Sequence, residues 1–268
     1  RAIIHLVERY STQYWRILTE AAERKRGILF AALVSRHIDF LESLVSTARL
    51  PVAEDRLKEA LAQTDIMIGS APVGPKTVKQ VLNFSGYLPR VRFGSTETCL
   101  EVVATPMTLA PEALLESFEA GWSHRYRGEA ITGYYIGREH YPFTRVKVVK
   151  SIDTEAEDYM RQCETGEPGY LITQGANTMN GYVADAEATE SVLREGWYVG
   201  LKDIAFALRN KSDGEPDYYW MSRDSELLIR GGVNYAYDQV AAELNRVLTA
   251  NFQMPAGEFQ LAVVGLRL

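Results

Sequence analysis

The feature that most constrains this chain is a β–α–β pattern between residues 65 and 98, in which each strand ends on a turn of small residues. Asp65–Ile68 is a short apolar run followed by Gly69-Ser70-Ala71-Pro72. Pro75–Asn83 reads as a helix opened by proline, whose fixed φ suits a first helical position; Val78, Val81 and Leu82 form its buried side. Arg90–Phe93 is a second strand, running into Gly94-Ser95-Thr96-Glu97-Thr98. Both turns therefore follow strand C-termini, the edge at which open α/β sheets bind ligands.

The flanking regions read differently. Residues 1–64 are expected to be helical: Ile28, Leu29, Ala32, Leu33, Ile38, Leu41 and Leu44 lie close to a 3.6-residue period. Pro51 ends that run, and Ala53–Gln63 reads as a second helix with Leu57 and Leu61 on one face. Residues 109–132 look like a polar and aromatic excursion. From Gly133 to Asp203 the pattern changes to short strands and turns, at Thr144–Val149, Gly169–Thr173 and Trp197–Tyr198. Tyr218–Met221 is another strand, Leu227–Ile229 precedes Gly231-Gly232, and Asp238–Leu248 is a helix. The expected class is α/β: an α/β part over 1–132, a β-rich subdomain over 133–222, and a hinge with the start of a further domain over 223–268.

Composition sets outer limits. The 268 residues are 46% apolar and 24% charged, with 35 acidic against 29 basic side chains. A net charge of −6 argues against a nucleic-acid-binding surface, which shows a basic excess. Cys99 and Cys163 have no metal-type spacing to His5, His37, His124 or His140 and read as free thiols of a reducing intracellular compartment. No apolar run is long enough for a transmembrane segment, and Ala2–Val7 is too short for a signal peptide. Because Arg1 is not a start residue and Phe259–Leu268 is strand-like, the natural chain is expected to extend beyond both ends.

Several residues can carry chemistry. In Phe93–Glu97, glycine admits a close ligand, amides and hydroxyls can bond phosphate, the carboxylate can hold magnesium, and the ring can stack on a base. The same five residues equally describe a strand end capping a helix. Gly69-Ser70-Ala71-Pro72 leaves room for a flat ligand, or is a plain turn into a helix. Asp203 can accept from ribose hydroxyls, or is a solvated turn residue. Arg223 offers a rigid fork of donors, or pairs at the surface with Asp224 or Glu226.

Taken in order, these segments resemble the adenylate-forming superfamily of acyl-CoA synthetases, luciferases and peptide-synthetase adenylation domains, across roughly residues 62–268. GSAP at Gly69–Pro72 resembles the family's GGAP turn, and FGSTE at Phe93–Glu97 its YGxTE motif. Gly133–Val149 resembles a further family segment. Gly166–Thr189, beginning GEPGYL and containing NTMNGY, is the most specific match. GWYVGLKDIA at Gly196–Ala205 resembles GWYRTGDIA, Ser222–Tyr235 resembles the hinge motif GRxDDxIxxGGxN, and Ala262–Leu266 resembles the first strand of the mobile C-terminal domain.

The resemblance implies ATP-dependent activation of a carboxylic acid as an acyl-adenylate, then transfer to the thiol of coenzyme A or of a phosphopantetheine arm on a carrier protein. It implies a fatty or other acyl acid as the substrate, and that Gly69, Ser70, Ala71, Pro72, Phe93, Gly94, Ser95, Thr96, Asp203 and Arg223 bind the nucleotide. Thr96 would meet the α-phosphate and Glu97 would hold Mg2+, these two being the catalytic pair; Ser225 would be the hinge. The sequence departs from the pattern in three places. Trp197 to Asp203 is one residue longer than usual with Lys202 before the aspartate, Ser222 replaces a glycine, and Ser225 stands where Asp or Lys is usual. These departures suit an alternative: a catalytically degenerate relative kept as a binding or scaffold subunit. An adenylation module beside a carrier domain is a third reading. The acyl substrate and the oligomeric state are not legible.

Overall fold

The computed structural model describes residues 11–24, 27–224, 227–230 and 233–252, with 4, 7, 261 and 263. The first sheet has the order β1 (Leu29–Leu33), β2 (Thr64–Gly69), β3 (Arg90–Phe93), β4 (Val103–Ala104). β1 to β3 are parallel, and β4 returns antiparallel to β3. The connecting helices are α1 (Gln13–Glu23), α2 (Ser35–Ser46), α3 (Glu54–Leu61) and α4 (Pro75–Ser85). Each buries one stripe: Ile38, Leu41 and Leu44 on α2, Leu57 and Leu61 on α3, Val78 and Val81 on α4.

The helical expectation for residues 20–49 fails at its centre. Leu29–Leu33 is a strand, paired in parallel with Thr64–Ile68. Ala31 and Leu33 are buried while Phe30 and Ala32 face outward, a period of two that the run of small apolar residues also satisfies. Pairing with β2 decides between the two periods, and local spacing does not.

Residues 109–132 are likewise no mere excursion. They contain α5 (Pro111–Trp122), which buries Ala113, Leu114, Ser117 and Phe118, and the hairpin β5 (Arg125–Tyr126) with β6 (Glu129–Ala130).

The second sheet is built from β7 (Tyr134–Gly137), β8 (Thr144–Val149), β9 (Gly169–Gly175), β10 (Leu193–Arg194), β11 (Trp197–Tyr198), β12 (Asp203–Arg209) and β13 (Pro216–Arg223), with α6 (Ala186–Val192) between β9 and β10. The order is β10-β11-β9-β12-β13-β7, with β8 also on β9, all antiparallel.

The two sheets meet where Ala104, ending β4, bridges Arg138, following β7. Gly137 lies at φ 114°, and a Cβ there would come within 2.3–2.6 Å of the Ala104 backbone, so glycine is required. A buried polar network pins α5 beneath. Asp217 accepts from Arg138 Nε at 2.6 Å, Ser117 Oγ at 2.6 Å and Asn210 Nδ2 at 3.0 Å, and Arg138 also reaches Asp213 at 2.7 Å. The rings of Phe118, Tyr135, Phe206 and Tyr219 fill the core beside it.

After β13 come the hairpin β14 (Leu227–Arg230), β15 (Val233–Ala236) and helix α7 (Tyr237–Phe252). The hinge position Ser225, the pair Gly231-Gly232 and, apart from Val263, the Ala262–Leu266 run lie outside the described residues. Among the described residues no helix is long and apolar enough to cross a membrane.

Candidate functional site

The C-terminal ends of β2 and β3 lie side by side because the strands are parallel. At Gly69 a Cβ would sit 2.9 Å from the Arg92 carbonyl oxygen, so the bare Cα lets the two strand ends stay close. Ser70 then turns the chain through the left-handed region, at φ 61°, a conformation glycine adopts without the steric cost. The Ser35 hydroxyl donates to the Pro72 carbonyl at 2.9 Å and ties this turn to α2.

Gly94 has a different cause. A Cβ there would lie 2.5 Å from Leu100 C and Glu101 N, because the loop doubles back: Leu100 N–H donates to Ser95 O at 2.8 Å and Val102 N–H to Phe93 O at 2.7 Å. This glycine is demanded by the protein's own backbone, with or without a ligand.

Between these turns and the second sheet lies a cavity of roughly 160 Å³. Ser70, Ala71, Pro72, Phe93 and Gly94 form one wall. Tyr134 and Tyr135 of β7 form another, and Asp203, Trp220 and Arg223 close it from β12 and β13. Residues separated by more than a hundred positions thus share one concavity.

The Asp203 corner depends on a register shift. Asp203 pairs with Arg223 and Ile204 with Ser222, but Ala205 pairs with Trp220, leaving Met221 as an extra residue in β13. In a regular strand residues 220 and 223 would point to opposite faces; the bulge brings both to the face of Asp203. Trp220 Nε1 donates to Asp203 Oδ1 at 2.8 Å, and Arg223 Nε stands 3.7 Å from the same oxygen. Asp203 is 4% exposed. The additional residue between Trp197 and Asp203 is absorbed just before β12: Leu201 is buried and Lys202 sits outside at φ 52°, its carbonyl accepting from Asp224 N–H at 2.9 Å.

Ser95, Thr96 and Glu97 continue from the Phe93–Gly94 wall beyond the lining of this cavity. Thr96 is exposed and Glu97 half-buried in a short turn of 3-10 helix. The Tyr182 hydroxyl donates to Glu97 Oε1 at 3.1 Å, and Met179 N–H to the Glu97 carbonyl at 2.7 Å. The Glu97 carboxyl is held below its ordinary pKa, first by its own backbone N–H and then, against the raising effect of burial, by the Ser95 and Tyr182 hydroxyls. It is therefore ionised at neutral pH and fits a magnesium ion, which takes one or two carboxylates with phosphate oxygens. Among the described residues no three His, Cys, Asp or Glu side chains gather as a metal cage, so phosphate oxygens and water would supply the remaining ligands.

A larger cavity, roughly 680 Å³, opens at the other end of the same strands, beside Thr64, Asp65 and Arg90. Volume favours it; chemistry does not. Its walls are largely apolar, including Leu82, Leu88, Leu109 and Leu115, and its charged groups include Asp65 and Arg90, already paired at 3.0 Å. The smaller cavity holds the small-residue turns, the rings and a buried carboxylate at the ligand-binding edge.

No family model matches the chain. It is 26% identical over 179 residues to the 2-succinylbenzoate–CoA ligase of Bacillus pumilus, covering 67% of this chain and 30% of that ligase. To the indoleacetate–CoA ligase of Aromatoleum aromaticum it is 27% identical over 166 residues, 55% of this chain and 30% of that one. The ATP-bound crystal structure of MatB from Rhodopseudomonas palustris superposes with a TM-score of 0.58 at 19% identity, over 91% of this chain and 37% of that one.

The chain is similar in sequence to CoA ligases and shares its fold with adenylate-forming enzymes.

Its mixed α/β architecture, a parallel sheet followed by a β-rich region, is that of the superfamily's large N-terminal domain. The chain spans 30% of the length of each of the two superfamily ligases just described. The sequence reading of the site missed Trp220, Tyr134 and Tyr182. Trp220 lies three residues before Arg223, a spacing that in an unbulged strand points away from it.

Proposed function

We propose that this chain forms the AMP-binding part of an acid–thiol ligase. In this reading a carboxylic acid attacks the α-phosphate of ATP, giving an acyl-adenylate and pyrophosphate. The acyl group then passes to a thiol, of coenzyme A or of a carrier-bound phosphopantetheine. Phe93 and the Gly69–Pro72 turn would face the adenine, Asp203 with Arg223 the ribose hydroxyls, Ser95 and Thr96 the phosphate. Glu97 would hold Mg2+, which supplies charge neutralisation on the phosphates when bound. The work of the protein is positioning and electrostatic stabilisation around the α-phosphate.

The observation that carries the reading is the single cavity shared by Ser70–Pro72, Phe93–Gly94, Asp203 and Arg223. The names of the relatives support it: CoA ligases of aryl acids and an ATP-bound structure. A fatty acid–carrier-protein ligase also lies among them, so the acid is proposed only as an aliphatic or aryl carboxylate.

ATP–pyrophosphate exchange in the whole protein, against a panel of aliphatic and aryl acids, tests the reading. Acid-dependent exchange that Asp203→Ala abolishes is expected. AMP binding without exchange for any acid would favour a binding or scaffold subunit.

A further inference from the structure

We propose that Trp220 is a positioning residue for ribose recognition: its indole N–H fixes the plane of the Asp203 carboxylate facing the cavity. This rests on the reading of the cavity as an AMP site. An aspartate side chain rotates softly about its last bond, so a buried carboxylate presents defined lone pairs only if something holds it. Trp220 and Arg223 are among the described groups that approach Asp203 Oδ1. Arg223 Nε, at 3.7 Å, is beyond hydrogen-bond length, and its side chain is 65% exposed and free to swing. Trp220 Nε1, at 2.8 Å, makes a short hydrogen bond from a half-buried ring. Indole is donor only and carries no charge, so it orients the carboxylate without neutralising it and without competing for the ribose hydroxyls as an acceptor.

The backbone is arranged for this contact. The extra residue Met221 places Trp220 opposite Ala205, two positions along β12 from Asp203 and on the same face. Tyr134 on β7 packs beside the indole, with ring centroids 6.3 Å apart, and restricts its tilt. Packing alone would be served by phenylalanine. The N–H is what phenylalanine lacks.

The test is the affinity of AMP and of its dideoxy analogue, which lacks both ribose hydroxyls, for the chain and for Trp220→Phe and Trp220→His. Trp220→Phe is expected to weaken AMP about tenfold and to leave the dideoxy analogue unchanged. Trp220→His, which restores a ring N–H, is expected to recover most of the AMP affinity. Equal loss for both nucleotides would mean that Trp220 only shapes the pocket, and overturns the proposal. So does unchanged AMP affinity in Trp220→Phe, or failure of the histidine variant to recover it. If the unaltered chain binds AMP no better than the Asp203→Ala variant, the reading of the cavity itself fails, and this inference with it.

Discussion

Asp203 and Glu97 are the two carboxylates assigned to the nucleotide, and they are held in opposite ways. Asp203 lies buried at the start of a central strand of an antiparallel sheet, bonded to Trp220 and flanked by Arg223. Its position is a consequence of strand pairing and of one bulge. Glu97 sits on a loop, held by its own N–H and by the hydroxyls of Ser95 and Tyr182; Tyr182 is 39% exposed, next to the fully open Val183. The first is fixed by the fold. The second is satisfied by neutral donors that a cation can displace. If AMP binds as proposed, the nucleoside end of the site is pre-organised and the phosphate end would gain its order from what binds there.

The largest expected effect removes the foundation both share. Asp217→Ala leaves Arg138 buried and without its closest partner, so stability should fall by about 3–5 kcal/mol in denaturant unfolding. Substitution within the site should then separate the two ends. Asp203→Ala is expected to weaken AMP binding about tenfold to a hundredfold by titration calorimetry, the loss of charged hydrogen bonds to the ribose.

Glu97→Gln should have a smaller effect. AMP affinity without metal stays unchanged, and only the gain in ATP affinity given by magnesium disappears. The same variant exposes a pH dependence. Because the folded-state pKa of Glu97 is lowered, its contribution to stability is present above the unfolded value of 4.5 and is lost as pH falls through the folded value. The stability advantage of the unaltered chain over Glu97→Gln should therefore shrink on acidification below 4.5. An advantage that grows there would contradict the assignment. The smallest expected change is at the first turn. Ser70→Gly relieves a left-handed non-glycine residue and should raise stability by about 1 kcal/mol, read in thermal unfolding.

What the sequence disclosed follows the same division. β2, β3, β8 and β11 were legible because each is a short apolar or alternating run with Gly or Pro at or near an end. Pro75 announced α4, and the turn residues Gly69–Pro72 and Phe93–Gly94 were placed at the correct strand ends. β1 was not legible. Its residues fit periods of two and 3.6 alike, and only pairing with β2 resolves them. The helix α5 was hidden because Ser117, Gly121 and flanking aromatic residues interrupt its apolar stripe, while buried partners on β13 satisfy them. Nor could the Trp220–Asp203 bond be foreseen: it requires Met221 to be the residue left over in β13, a property of two strands together. Gly94 taught the reverse lesson. In sequence it leaves room for a ligand, whereas its nearest constraint in the fold is the backbone at Leu100 and Glu101.

We propose that AMP binds in the cavity assembled from the two strand-end turns and the Asp203 corner. An azido-adenosine monophosphate photolabel, followed by peptide mapping, tests it most directly. The account predicts labelling of the segments containing Pro72, Phe93, Tyr134 or Trp220, suppressed by excess AMP. Labelling confined to the larger cavity at the opposite strand ends, around Tyr87, Leu88 and Leu109, would contradict it.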